Sequence, residues 1–223
     1  MGLFDKFKKK EKREEVPQNE DINSAGWDAI TGACEKIYPT QKNPKHYGTL
    51  ISWQFGGNDP LEGISIYDAG EYWHFVTYGL SELYDKESEN KEISGFGMEF
   101  TFKLKKDAYE NEEGELKCIC GILQAIARIT FTKGEIFRAF EYLYTGQQQG
   151  IDTKMESNIT GFITIPDEEL GSIDTPNGKV DFVEFIGVTN AELLAIQNKE
   201  ITVKELYAKL CSDVTGYHRE SVV

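Results

Sequence analysis

With three histidines and four cysteines in 223 residues, the chain offers few places where covalent chemistry could start. His46, His74 and His218 are the only imidazoles, so a Ser–His or Cys–His nucleophile pair would have to recruit one of them. No Gly-x-Ser-x-Gly elbow and no H-E-x-x-H motif occur. Gly56-Gly57 is followed by Asn58-Asp59-Pro60 and not by Gly-Lys-Ser/Thr, so a phosphate loop is missing. Gly95 and Gly97 match two glycines of a dinucleotide fingerprint, but Phe100 replaces the third and the segment enters a strand, where the pyrophosphate needs a helix N-terminus. Cys34, Cys118, Cys120 and Cys211 are too scattered for a disulfide framework, and Cys118-Ile119-Cys120 lacks both C-x-x-C spacing and a nearby His for zinc. They read as reduced thiols. No catalytic, cofactor or metal site is predicted.

What concentrates is binding chemistry. Tyr67, Tyr72, Trp73, Phe75, Tyr78 and Tyr84 surround Asp68 and His74 within one short stretch. Trp and Tyr anchor interfaces because they bury a large area and keep a polar handle. A core strand with a satisfied histidine is the structural reading of the same residues. Alternation has to point one of the sets Trp73, Phe75, Thr77 or Tyr72, His74, Val76, Tyr78 away from the core. A hydrolase using His74 with Asp68 or Glu71 is the enzymatic alternative, and it requires His74 to open on a concave pocket.

Charge narrows the partners. There are 24 basic and 38 acidic residues, a net of −14, and a surface this acidic repels nucleic-acid backbones. The first fifteen residues hold six basic and four acidic side chains, 6 − 4 = +2, which leaves 18 − 34 = −16 for the remainder. Leu3, Phe4 and Phe7 beside these lysines form a short face that offers membrane contact by residues 1–15 as a further alternative. Lys6 stands where myristoylation needs Ser or Thr. No run approaches the ~20 apolar residues of a membrane span and no signal-peptide pattern opens the chain, so a cytoplasmic protein is expected.

The elements that must position these residues follow from periodicity. Ala25 to Tyr38 is helical up to Pro39, with Trp27, Ile30, Cys34 and Ile37 on one face. Gly48–Phe55, Gly63–Asp68, Tyr72–Tyr78 and Gly95–Leu104 read as strands. In the last, Phe96, Met98, Phe100, Phe102 and Leu104 alternate with smaller or polar residues, so one face is core. Acidic loops are expected at Glu82–Glu92 and Asp107–Glu115. Leu116–Thr130 is helical and ends at Gly134, Glu135–Leu143 and Ile159–Ile165 read as strands, and Asn177-Gly178 marks a hairpin turn before Lys179–Val188. Thr189 with Glu192 and Thr202 with Glu205 are capping boxes that open two short helices. This order predicts a single α+β domain, a twisted, largely antiparallel mixed sheet covered by helices. Residues 1–24 are its basic tail and linker, and 25–223 the domain.

The run GGNDPLEGISIYDAGEYWHFVTYGLSELY at 56–84, followed by SGFGMEFTFKL at 94–104, resembles the Suppressor of Fused family. CEKIYP at 34–39, the Leu116–Thr130 helix and IDTPNGKVDFVEFIGVTNAEL at 173–193 agree in order and spacing, so the likeness covers about 25–215. The resemblance implies a non-enzymatic domain that binds another protein. In animal members a Gli-type transcription factor peptide is held extended between two lobes and adds its backbone to sheet edges. This chain ends soon after the first lobe. Together with its Met-Gly-Leu-Phe-Asp-Lys start, that points to single-domain bacterial relatives, some of which act as immunity proteins against toxins. A basic toxin or other basic polypeptide is then the expected partner. By the resemblance its contacts are Tyr67, Asp68, His74, Phe75, Tyr78, Tyr84 and Asp85, although the family has Gly where Asp85 stands.

Overall fold

The sheet is built outward from its longest strand, the alternating segment Ile93–Lys105. The structure is a computed structural model and describes residues 23–223. The basic segment 1–15 and the linker up to residue 22 lie outside the described residues. Along the chain come α1 (Ala25–Ile37), β1 (Lys45–Gly48), β2 (Gly63–Asp68), β3 (Tyr72–Tyr78), β4 (Ile93–Lys105), α2 (Glu112–Lys133), β5 (Tyr142–Leu143), β6 (Ile159–Pro166), β7 (Ser172–Thr175), β8 (Gly178–Thr189), α3 (Asn190–Gln197) and α4 (Val203–Leu210). They form one sheet of eight strands in the order β1-β2-β3-β4-β8-β6-β5, with β7 also paired to β8. Only β4 and β8 run parallel, so the fold is the α+β, largely antiparallel mixed sheet that the element order predicts.

Both faces of this sheet are covered. Helix α2 lays Leu116, Ile119, Leu123 and Ile126 over Phe75, Phe100, Phe102 and Phe185, each such side chain contributing about 1.5–3 kcal/mol on burial. On the other face α1 packs Ile30, Cys34 and Tyr38 against Tyr67, Val76, Tyr78 and Phe182. Beside it, α3 and α4 set Leu193, Ile196, Val203 and Leu206 on Ile163, Ile165, Ile186 and Val188. Alternation in β3 therefore exposes neither set, because Trp73, Phe75 and Thr77 are as buried as His74, Val76 and Tyr78. The expectation of one outward aromatic set is corrected by the second helical layer.

Local signals hold at most helix ends. Both capping boxes form, and Gly134 closes α2 with φ +73°, a conformation glycine adopts without a Cβ clash. Three segments depart. Of Gly48–Phe55 only Gly48 is in a strand; Trp53–Phe55 forms a 3-10 turn whose end is folded back by the Gly57 N–H donating to the Ser52 carbonyl at 3.1 Å. Helix α2 begins inside the second acidic loop, because Glu112, Glu113 and Glu115 suit the positive end of a helix. Of Glu135–Leu143 only the last two residues pair, since Phe140 turns to φ +67° and breaks the extended run.

Candidate functional site

Between the two apolar clusters on the α1 side runs a seam of buried polar groups, placed there by strand register. His74 stands opposite Lys103, and Thr101 opposite Glu184. The phenol of Tyr38 lies 2.8 Å from His74 Nδ1, and Asp167 Oδ2 lies 3.1 Å from Nε2. Asp167 also accepts from the Thr101 hydroxyl at 2.8 Å and from the N–H groups of Glu169 and Leu170 at 2.9 and 2.8 Å. Burial opposes its charge, but His74 and these donors hold the Asp167 carboxyl well below the usual range. Lys103 places its ammonium 2.5 Å from Asp213, 3.3 Å from Glu184 and 3.9 Å from Glu169. Glu184 is fully enclosed, and apart from the Lys103 ammonium no group among the described residues offers either oxygen a hydrogen bond. Burial, with Asp167 and Asp213 nearby, raises its carboxyl well above the ordinary value despite Lys103.

A second set of buried polar groups fixes a surface loop. Glu99 accepts from the N–H groups of Gly79, Leu80 and Ser81 at 2.9, 3.1 and 2.9 Å, and from the Ser81 and Thr77 hydroxyls at 2.6 and 2.7 Å. Beyond it, the Asn177 amide donates to the carbonyls of Glu82 and Tyr84 at 2.8 and 2.7 Å. In the first turn of α1, the N–H groups of Gly26 and Trp27 both donate to the Leu83 carbonyl at 3.0 Å. Glu82 gathers Lys86 at 2.6 Å and the N–H groups of Glu87, Ser88 and Gly95. Burial would raise Glu82, yet Lys86 and these N–H groups bring it down to about 2. The 79–85 segment has no regular structure of its own and is nevertheless tied at nearly every residue. What it presents outward is Tyr84, 42% exposed, and Asp85, whose carboxylate accepts from Asn23 at 2.8 Å.

The seven residues expected at the partner surface separate into two groups. Tyr67, His74, Phe75 and Tyr78 are buried to 1% exposure or less, so their side chains offer no surface in this conformation. Tyr67 stacks on Tyr38 with centroids 4.8 Å apart, and Tyr78 on Trp27 at 4.4 Å. Asp68, Tyr84 and Asp85 are exposed. Asp68 closes the β2–β3 turn, accepting from the Gly70 N–H at 2.8 Å and from Lys106. The β3 span of about 20 Å, at roughly 3.3 Å per residue, separates Asp68 from Tyr84 and Asp85. The hydrolase alternative meets its geometric requirement poorly, because His74 pairs with Tyr38 and Asp167 instead of Asp68 or Glu71 and, fully buried, opens on no cleft.

No motif in the sequence singles out Glu99, Lys103, Asp167 or Glu184, and Asn177 reads there as a turn residue and not as a ligand of the 82–84 carbonyls. Glu99 and Lys103 occupy the polar half of the β4 alternation, which in a one-sided sheet faces water. Their partners come from distant segments, Asp167 being 93 positions from His74. Among the described residues no group of three or more His, Cys, Asp or Glu is arranged to hold a metal ion, and no helix is long and apolar enough to cross a membrane.

Comparison with known proteins places this geometry among relatives. The family model "Suppressor of fused protein (SUFU)" matches residues 57–220. The Suppressor of fused homologs of Homo sapiens and Mus musculus are each 30% identical to the chain over 77% of its length; the chain spans 37% of theirs. A chain of the Sufu–Fu complex crystal structure superposes with a TM-score of 0.78 at 28% identity, covering 90% of this chain and 93% of that one. Drosophila Suppressor of Fused gives the same score and identity over 52% of its length. A SUFU homologue from Neisseria gonorrhoeae FA 1090 shares the fold, with a TM-score of 0.56 and 16% identity over 88% of this chain and 96% of that one.

Proposed function

The chain belongs to the Suppressor of fused family, and we propose from that membership that it is a polypeptide-binding module, with residues 25–223 as the binding domain. The observation that carries this reading is the 79–85 segment, in which Glu99 and Asn177 hold backbone groups so that Tyr84 and Asp85 face outward. Ordering such a loop before the partner arrives removes an entropic cost of binding. A related chain is found in the Sufu–Fu complex, and a protein partner follows for this chain by analogy.

The finer reading is a cytoplasmic immunity-type protein that neutralises a basic toxin. Its support is electrostatic. A net charge of −14 speeds the encounter with a cationic partner and masks a cationic active site. Asp68, Tyr84 and Asp85 are then the contacts, while Tyr67, His74, Phe75 and Tyr78 form the framework behind them.

Affinity purification of the full chain from its native cells, at low and moderate salt, tests the module. The expected result is a stoichiometric polypeptide whose binding falls at least about ten-fold in Tyr84→Ala, as for a central aromatic anchor. Recovery of no protein at either salt overturns it. The association rate should fall with ionic strength, and a salt-independent rate removes the electrostatic part alone.

A further inference from the structure

Edge strand β1 pairs with β2 on one side, and nothing among the described residues pairs with its other side. The Thr49 N–H donates to the Glu62 carbonyl at 3.2 Å, in line with the register Lys45↔Ile66 to Gly48↔Gly63. Inward hydrogen bonding in an antiparallel pair alternates along the strand. Thr49, Tyr47 and Lys45 therefore bond to β2, and His46 and Gly48 turn their N–H and C=O groups to the open edge.

Helix α2 runs beside this edge. Its Glu113 accepts from the Tyr47 phenol at 2.5 Å and pairs with Lys45 at 3.3 Å. Further along, a groove of about 520 Å³ separates the Tyr47–Asp59 side from Lys117, Cys120, Gly121 and Gln124 of α2. Buried Ile64 and Cys120 form its floor, and exposed Leu50 and Ile51 stand at its rim. Leu50 is 102% exposed and nearby Phe55 84%, an unusual outlay of large apolar side chains for one short segment of a soluble surface.

We propose that this groove is a second docking site, in which an extended segment of a partner polypeptide adds to β1 as a strand and lowers an apolar side chain between β1 and α2. The chemistry of the site selects a polypeptide. Outward N–H and C=O groups on alternate residues need a backbone in return, which a lipid or a small apolar molecule lacks. Leu50, Ile51 and the Ile64–Cys120 floor need apolar side chains, which a nucleic-acid backbone lacks, and a net charge of −14 repels it. Neither Tyr84 nor Asp85 lines this groove, and the proposal stands without them.

Two substitutions separate docking from folding. A Cβ at Gly121 meets nothing within 4 Å, so Gly121→Arg fills the groove and raises helix propensity. Gly48→Pro removes an outward donor and leaves the β1–β2 bonds, a position where an edge strand tolerates proline. The full chain is used to select from a phage-displayed library of linear peptides of about 12 residues, and the enriched peptides are synthesised. We expect alternating β-branched or aromatic residues, slowed amide exchange at His46 and Gly48 on binding, and at least about ten-fold weaker binding to each variant and for peptides N-methylated at alternate positions. Tyr84→Ala should bind these peptides unchanged. The proposal is overturned if no peptide is enriched, or if both variants bind as well as the parent. It is also overturned if the full chain dimerises through β1 and Gly48→Pro makes it monomeric, which assigns the edge to a second copy. Peptides lost in Tyr84→Ala but kept in Gly121→Arg would refute the second site and leave the module reading intact.

Discussion

His74 and Asp167 meet 3.1 Å apart, Nε2 to Oδ2, with neither side chain reaching solvent. The pair joins β3 to the segment after β6, across the seam where the α1 layer gives way to the α3–α4 layer. Asp167→Ala would leave His74 Nε2, the Thr101 hydroxyl and two backbone N–H groups without their acceptor. A loss of about 3–5 kcal/mol is expected in urea unfolding. A loss below about 1 kcal/mol would mean that water replaces the carboxylate without cost.

Glu99 should matter for the partner surface as well as for stability. Removing it strands the N–H groups of Gly79, Leu80 and Ser81, a cost of about 3 kcal/mol or more for Glu99→Ala. Glu99→Gln keeps an acceptor oxygen and should lose less. Hydrogen exchange of residues 79–85 should quicken in the Ala variant; unchanged protection would show that Asn177 and α1 hold the loop unaided.

The raised carboxyl of Glu184 makes stability depend on pH in a definite direction. Its ordinary value is 4.5 and its folded value lies well above that, so folding takes up a proton between the two. Its contribution is complete below 4.5 and is lost as pH rises through the folded value. Glu184→Gln carries no such proton and should gain on the parent as pH rises above 4.5. If the substitution instead costs about 3–5 kcal/mol throughout, Glu184 is an ionised partner of Lys103.

Glu82 works in the opposite sense. Its carboxyl falls from 4.5 to about 2, so its contribution is present above 4.5 and lost as pH drops towards 2. Glu82→Gln should be less stable than the parent at pH 6, and the two should converge near pH 2. Parallel curves across that interval would show that Lys86 and the N–H groups of Glu87, Ser88 and Gly95 do not hold the Glu82 carboxylate in solution.

Surface electrostatics can be checked without touching the core. Asp85→Lys changes an exposed residue whose described partner is Asn23, so stability should move by less than about 0.5 kcal/mol. Association with a basic partner should slow, and raising the salt should shrink the difference. Equal association rates for the two proteins at low salt would remove Asp85 from the interface.

Much of the architecture was legible because its causes are local. Thr189 with Glu192 and Thr202 with Glu205 cap helices within four residues of chain, and Gly63–Asp68 and Tyr72–Tyr78 alternate or run apolar over strand-length windows. The candidate site was less so. The family resemblance brought Tyr84 and Asp85 together with Tyr67, His74, Phe75 and Tyr78, although the first two are exposed and the other four are core. No local pattern separates an aromatic that covers a sheet from one that meets a partner, since both follow the same alternation.

By itself the sequence determined an α+β order of elements and a strongly acidic balance, because periodicity, caps and charge are properties of neighbouring residues, while its long motifs carried the resemblance to the Suppressor of fused family. Only the tertiary structure decided which residues are accessible. Burial of both sheet faces depends on α1, α3 and α4 returning from the two ends of the described chain to one side of the sheet. That return encloses His74 and pairs it with Asp167 from 93 positions away.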